Sequence, residues 1–208
     1  MAIISNAVTI ADAGAFSASL GALTLIKTIT LGSAAGTVSF VHGASDVVLD
    51  STYPVYKFQL INIHPATDGA TLQVNFRDGG TAYDATKTTT KFRTYHQEDD
   101  GESSGDRFTY QAGSDLAQGT GFQELSNSTG NAGDEVSSGE LTLFNPSSTT
   151  FVKHFIARIS SVHDASASQD HHTAGYCNVT AAIDGVQFKF SSGNIDAGTI
   201  KLYGIKDS

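Results

Sequence analysis

The sequence contains no tryptophan, one cysteine, three prolines and one methionine, which is its first residue. Each shortage excludes something. A single thiol, Cys177, rules out an intrachain disulfide framework. Set in Ala174-Gly175-Tyr176-Cys177-Asn178-Val179, it reads as a small buried hydrophobe rather than a reactive group. Charge is also scarce: 16% of residues are charged, against roughly 25% in an ordinary domain. The 12 basic residues are scattered singly and outnumbered by 21 acidic ones, for a net charge of −9. Such a chain has no basic footprint for a phosphate backbone, so nucleic acid is excluded as a partner. No run approaches the roughly 20 apolar residues that span a bilayer. The longest candidate, from Leu20 to Leu31, is broken by Gly21, Thr24, Lys27, Thr28 and Thr30. The start, Met1-Ala2-Ile3-Ile4-Ser5-Asn6, has no basic region, so no secretory signal is expected.

In place of charge stand 21 Gly, 23 Ser and 23 Thr, together with 12 Phe and 7 Tyr. The aromatic supply argues against disorder, and the lack of Leu, Glu, Lys and Ala in 3.6-residue periods argues against a helical bundle. A length of 208 residues suits one large β domain.

Residues 1–22 differ from the rest, being rich in Ala, Ser and Gly with isolated apolar positions. They hold too little hydrophobic surface to fold alone, since ordering costs roughly 1–2 kcal/mol per residue. Ile3, Ile4, Val8, Ile10 and Phe16 would be poorly placed in a solvated linker, so this segment reads as an arm ordered on a neighbour, for assembly or docking. Residues 23–208 form the folded domain. Strand patterns run through Leu23 to Leu31, Thr37 to His42, Val55 to Ile63 and Leu72 to Phe76. The stretch from Arg77 to Thr90 reads as loop, and Phe92 to His96 as a short strand. Further strands are expected over Phe108 to Gln111, Gly121 to Leu125, Glu140 to Asn145, Val152 to Val162, Thr173 to Thr180, Val186 to Phe190 and Thr199 to Lys206. About ten to twelve strands without a helix point to an all-β antiparallel sandwich of jelly-roll type with an extended N-terminal arm.

Several strings are familiar. Leu60-Ile61-Asn62-Ile63-His64-Pro65-Ala66-Thr67-Asp68 and Phe92-Arg93-Thr94-Tyr95-His96-Gln97-Glu98-Asp99-Asp100 resemble a family of tailed-bacteriophage virion proteins from phages of aquatic bacteria. Leu116-Ala117-Gln118-Gly119-Thr120, Leu143-Phe144-Asn145-Pro146-Ser147-Ser148-Thr149-Thr150, Val152-Lys153-His154-Phe155, Phe190-Ser191-Ser192-Gly193-Asn194-Ile195 and Gly198-Thr199-Ile200-Lys201-Leu202-Tyr203-Gly204 extend the likeness. It covers roughly Leu23 to Lys206 and carries no catalytic motif. The resemblance implies a structural, non-enzymatic protein: a subunit of a tail fibre or similar appendage, with a role in assembly and host-surface attachment. A capsid decoration protein or head fibre is the alternative, and a polysaccharide-degrading enzyme a third reading. It further implies synthesis in the host cytoplasm, residence in the virion, self-association (a trimer above all), contact with other virion proteins and recognition of a host surface glycan.

The candidate sites are few. Glu98, Asp99 and Asp100 could supply oxygen ligands to calcium, the one cofactor considered, although a solvated acidic loop is the favoured reading of them and the spacing is not that of a helix-loop-helix site. His154, His163, His171 and His172 could meet at one end of a hairpin and hold a divalent metal, but adjacent His171 and His172 point apart in an extended chain. The loops Gln97 to Arg107, Ser126 to Ser138 and Asp164 to His172 are the expected contact regions. Tyr95, Tyr110, Phe122, His171 and His172 are the expected partner or glycan contacts. No Gly-x-Ser-x-Gly elbow is present, and nothing singles out a pair of catalytic carboxylates. The Asn127-Ser128-Thr129 sequon carries no weight without export.

Overall fold

In a computed structural model the chain is described over residues 23–206, together with the backbone of 3–5, 8–12 and 15–16. Those three short segments, β1 (Ile3–Ser5), β2 (Val8–Asp12) and β3 (Ala15–Phe16), pair in an antiparallel sheet of their own. The side chains of the arm positions Ile3, Ile4, Val8, Ile10 and Phe16 lie outside the described residues.

The domain is an all-β sandwich. Its strands are β4 (Leu23–Thr30), β5 (Val38–Val41), β6 (Val55–Pro65), β7 (Leu72–Arg77), β8 (Lys87–Gln97), β9 (Phe108–Tyr110), β10 (Gln123–Glu124), β11 (Ser137–Phe144), β12 (Lys153–His163), β13 (Ala167–Cys177), β14 (Gly185–Phe190) and β15 (Ile195–Ile205). One sheet has eight strands in the order β4-β15-β6-β11-β12-β13-β8-β9, the other four in the order β10-β7-β14-β5. All pairings are antiparallel. Eight of these strands pair in a nested way: β4 with β15, β5 with β14, β6 with β11, and β7 with β10. The remaining four are insertions. The β8–β9 segment follows β7, the β12–β13 hairpin follows β11, and together they widen the large sheet beyond the reach of the small one.

Alternation explains the core. In β6, Tyr56, Phe58 and Leu60 face inward, as do Leu141 and Leu143 of β11 and Val186, Phe188 and Phe190 of β14. Phe58 meets Phe40 and Phe188 edge-on at 5.3 and 5.6 Å, a favoured aromatic geometry. Phe76 and Phe155, 4.8 Å apart, carry the core outward to the first inserted strand. Gly175 of β13 makes room for this ring. A Cβ there would lie 3.0 Å from Phe155 Cζ and 2.7 Å from Thr89 Cγ2.

Beyond Phe155 the interior changes character. The inward side chains of β8 and β13 include Lys87, Thr89, Lys91, Gln169, His171 and Thr173, all buried, and β12 adds Lys153 and Ser161 at either end of its apolar run Phe155, Ala157 and Ile159. The loops at Ser148 and Val179 meet Lys153, and the chain between β9 and β11, which includes β10 at the edge of the small sheet, covers Lys87, Thr89, Lys91 and Gln169. That segment is mostly loop, with backbone groups that a purely apolar surface would leave unpaired. Lysines meet the need. Lys87 Nζ donates to the carbonyls of Ala85 and Gly121, and Lys153 Nζ to those of Ser148 and Val179. Lys91 Nζ donates to the Ser126 carbonyl at 2.7 Å.

This layer accounts for two differences from the expected strands. Strand β8 begins at Lys87, inside the stretch expected as loop, and β13 begins at Ala167, inside the expected loop from Asp164 to His172. Both segments lack hydrophobic alternation because their inward positions meet polar loop atoms. The thiol of Cys177 is buried as expected, and burial pushes it up to about 12.

Candidate functional site

Across the outer face of the large sheet the register aligns one residue from each strand. Tyr110, Phe92, His172, Arg158, Glu140, Gln59, Lys201 and Thr28 stand side by side from β9 to β4. No described element packs on this face. Of the six large hydrophobics exposed among the described residues, Leu23, Leu25, Phe108, Tyr110 and Ile156 belong to it, and Phe151 sits in the loop before β12. The apolar groups stand at the two edges of the face, Phe108 and Tyr110 on β9 and Leu23 and Leu25 on β4, with Ile156 on β12 between them.

Its geometry is built by short-range pairing. The Phe92 and His172 rings stack in parallel, 4.8 Å apart at 5°, and Phe108 lies 5.3 Å from Phe92 on the far side. Tyr110 donates its hydroxyl to Asp115. The Arg158 guanidinium grips Asp170 through Nε at 3.1 Å and Nη2 at 2.8 Å, and His172 Nε2 is 3.3 Å from the same carboxylate. The arginine holds Asp170 below the usual carboxylate range. Lys57 pairs with Glu140 at 2.9 Å. Between these pairs a groove of about 630 Å³ runs over Gly139, walled by Gln59, Ser138, Glu140, Arg158, Ser160 and Asp170. A second depression of about 450 Å³ lies toward the other end of β12, lined by Thr88, Thr90, His154, Ile156, Ala174 and Tyr176. The face thus offers aromatic planes, fixed polar groups and two concavities to an incoming surface.

The expected contact residues divide. Tyr110 and His172 share this outer face and lie either side of Phe92. His171 does not: it is fully buried, with Nε2 3.2 Å from Ser161 Oγ, which corrects its expected contact role. Adjacent strand residues face opposite ways, and His171 drew the inward position. Tyr95 lies on the inner side, packed edge-on against His163 at 5.4 Å and under Arg93 at 5.0 Å. Phe122 precedes β10 and sits 4.4 Å beneath Lys189 Nζ. Phe92, Phe108 and the Arg158–Asp170 pair were not singled out; the alternating aromatics of Phe108-Thr109-Tyr110 were the available signal.

The four histidines do not converge. His154 and His163 stand at opposite ends of β12, and His171 and His172 on opposite faces of β13.

In the acidic loop the structure brings Asp100 together with His96 and Glu102, their ligand atoms within 4.8 Å of one another, whereas Glu98 and Asp99 stay outside the group. Asp99 accepts from the Gly101 amide at 2.9 Å in a local turn. Glu102 is the buried member. It accepts from the Gln97 amide at 3.1 Å, His96 Nδ1 at 3.1 Å and Arg107 Nε at 2.8 Å, and is held down at about 2, chiefly by the Gln97 amide. The Arg107 guanidinium also stands 3.9 Å from Asp100, so a cation of the chain itself pairs with both carboxylates of this cluster. Comparison with family models, with curated proteins and with solved structures finds no match to this chain.

Proposed function

We propose that this chain is a structural protein of a tailed-phage virion, a subunit of a tail fibre or similar appendage that associates with further copies of itself and presents loops to the host surface. The observation that carries the reading is the uncovered outer face of the large sheet, where Leu23, Leu25, Phe108, Tyr110 and Ile156 stand exposed. An apolar sheet face is stable in water when another subunit covers it. The nested pairing of β4 with β15, β5 with β14, β6 with β11 and β7 with β10 supports a jelly roll, widened by its two insertions into a broader contact surface. The likeness of residues 23–206 to virion proteins supports the address. On this reading the inserted strands extend the assembly face that β4 bounds at its other edge, and the acidic loop, tied down by Glu102, is one of the segments left facing outward. The test is gold labelling of intact particles with an antibody to this chain, with Ile156→Arg as the variant that keeps the fold and loses its place in the particle.

A further inference from the structure

Among the buried lysines, Lys91 differs from Lys87 and Lys153. The other two donate to backbone carbonyls alone. Lys91 Nζ also touches the side-chain amide of Asn127, and the carboxylate of Glu124 stands 3.9 Å from the same nitrogen. An amine, a primary amide and a carboxylate therefore meet at one place, with the amine fully buried and the other two groups half-buried. We propose that Lys91 and Asn127 are joined by an intramolecular isopeptide bond that the folded chain forms by itself.

Each component is positioned by the fold. Strand β8 turns Lys91 inward, where it is fully buried. Asn127 follows β10 in the segment that covers the polar layer, and its backbone carbonyl accepts from Gln169 Nε2 at 2.8 Å. Glu124 is oriented by the Ser114 hydroxyl at 2.6 Å. Thr173, the partner of Lys91 across the strands, carries a buried hydroxyl that has no hydrogen-bond partner.

The reaction balances without a cofactor or an oxidant. The neutral Nζ of Lys91 attacks Cγ of Asn127, forming the N–C bond as the carbonyl oxygen takes up negative charge. Glu124 accepts the proton lost from Nζ and returns it to Nδ2, the Cγ–Nδ2 bond breaks, and one ammonia leaves. An amine must be neutral to attack, and burial pushes Lys91 down to about 8. Roughly a tenth of such amines are neutral at pH 7, against well under a thousandth for a solvated lysine. Proximity does the rest: the reacting groups are held in contact before the step begins. The product is a covalent tie between β8 and the segment leading to β11, across 36 positions of sequence. It would clamp the polar layer, the part of the sandwich with the least apolar surface. This inference stands on the Lys91 site alone and does not rest on the virion reading.

The experiment is the mass of the full-length wild-type chain under denaturing conditions. The expected result is a deficit of one ammonia, about 17 Da, relative to the sequence. Trypsin then gives a branched peptide joining residues 88–93 to residues 108–153, uncleaved after Lys91. Lys91→Met and Glu124→Gln are expected to restore the full mass and the linear peptides. A folded wild type with the full sequence mass overturns the proposal, and needs no variant. So does a 17 Da deficit without the branched peptide, which would mark a succinimide at Asn127–Ser128. A branched peptide that persists in Glu124→Gln removes Glu124 from the proton transfer.

Discussion

Acid should weaken this fold through one histidine well before its carboxylates titrate. His171 lies in the interior beside Ser161 and Arg93, and burial, helped by the Arg93 cation, pushes its imidazole down to about 2. In the unfolded chain it regains an ordinary value of 6.5. The unfolded state therefore binds more protons than the folded state throughout the interval between the two values, and stability falls as pH falls below the upper one. At about 1.36 kcal/mol per pH unit below 6.5, the loss between about pH 7 and about pH 5 comes to about 2 kcal/mol. That figure depends only on the folded value lying well under pH 5. Two other histidines are shifted by the fold. His163, lowered by burial, adds to the loss, whereas His64, raised by its contacts with Ala132 and Asp196 despite burial, opposes it. A comparison isolates His171: urea unfolding of the wild type and of His171→Gln at pH 7 and pH 5. The wild type should lose about 2 kcal/mol more than the variant. Equal losses in the two proteins would refute the reasoning. If the variant does not fold, the His171 ring resonances of the wild type decide, because a native midpoint near 6.5 would refute it equally.

Two further outcomes follow from the same interior. Burial pushes Lys87 down to about 8 from 10.5, so the unfolded chain again binds more protons between those values and stability rises with pH. Between about pH 8 and about pH 9 Lys87 contributes a gain of about 1 kcal/mol, partly offset as the unfolded Cys177 thiol ionises; in urea melts the wild type should gain about 1 kcal/mol more over this interval than Lys87→Met, in which Lys153, also lowered by burial, still contributes. Gly175→Ala places a methyl group against Thr89 and Phe155 and should cost about 1–3 kcal/mol by overpacking; an unchanged urea midpoint would mean that Phe155 is not confined there.

The two halves of the sandwich were legible to different degrees, and the reason is physical. Where two apolar faces meet, as at Val55–Ile63 and Val186–Phe190, alternation marks the strands directly. From Lys87 to Lys91 and from Ala167 to Thr173 it does not, because inward Lys, Gln, His and Thr side chains meet loop carbonyls and amides. A Thr- and Lys-rich stretch looks like solvated loop until the covering segment, far off in sequence, is known to lie against it. The outer face was partly readable. Tyr110 and His172 were named from residue type, but their alignment with Phe92 and Arg158 depends on pairing β9, β8, β13 and β12, which no local pattern encodes. His171 and His172 show the limit most plainly: one position of register separates a core group from a surface group.

The proposed role meets its most direct test on the particle. Virions purified from the lysate in which this chain is made, probed with gold-labelled antibody to residues 23–206, should carry label at a fixed site on the tail or its fibres. Particles made with Ile156→Arg should carry little, although the variant protein accumulates folded. Wild-type particles without label, or label that Ile156→Arg leaves undiminished, would contradict the account.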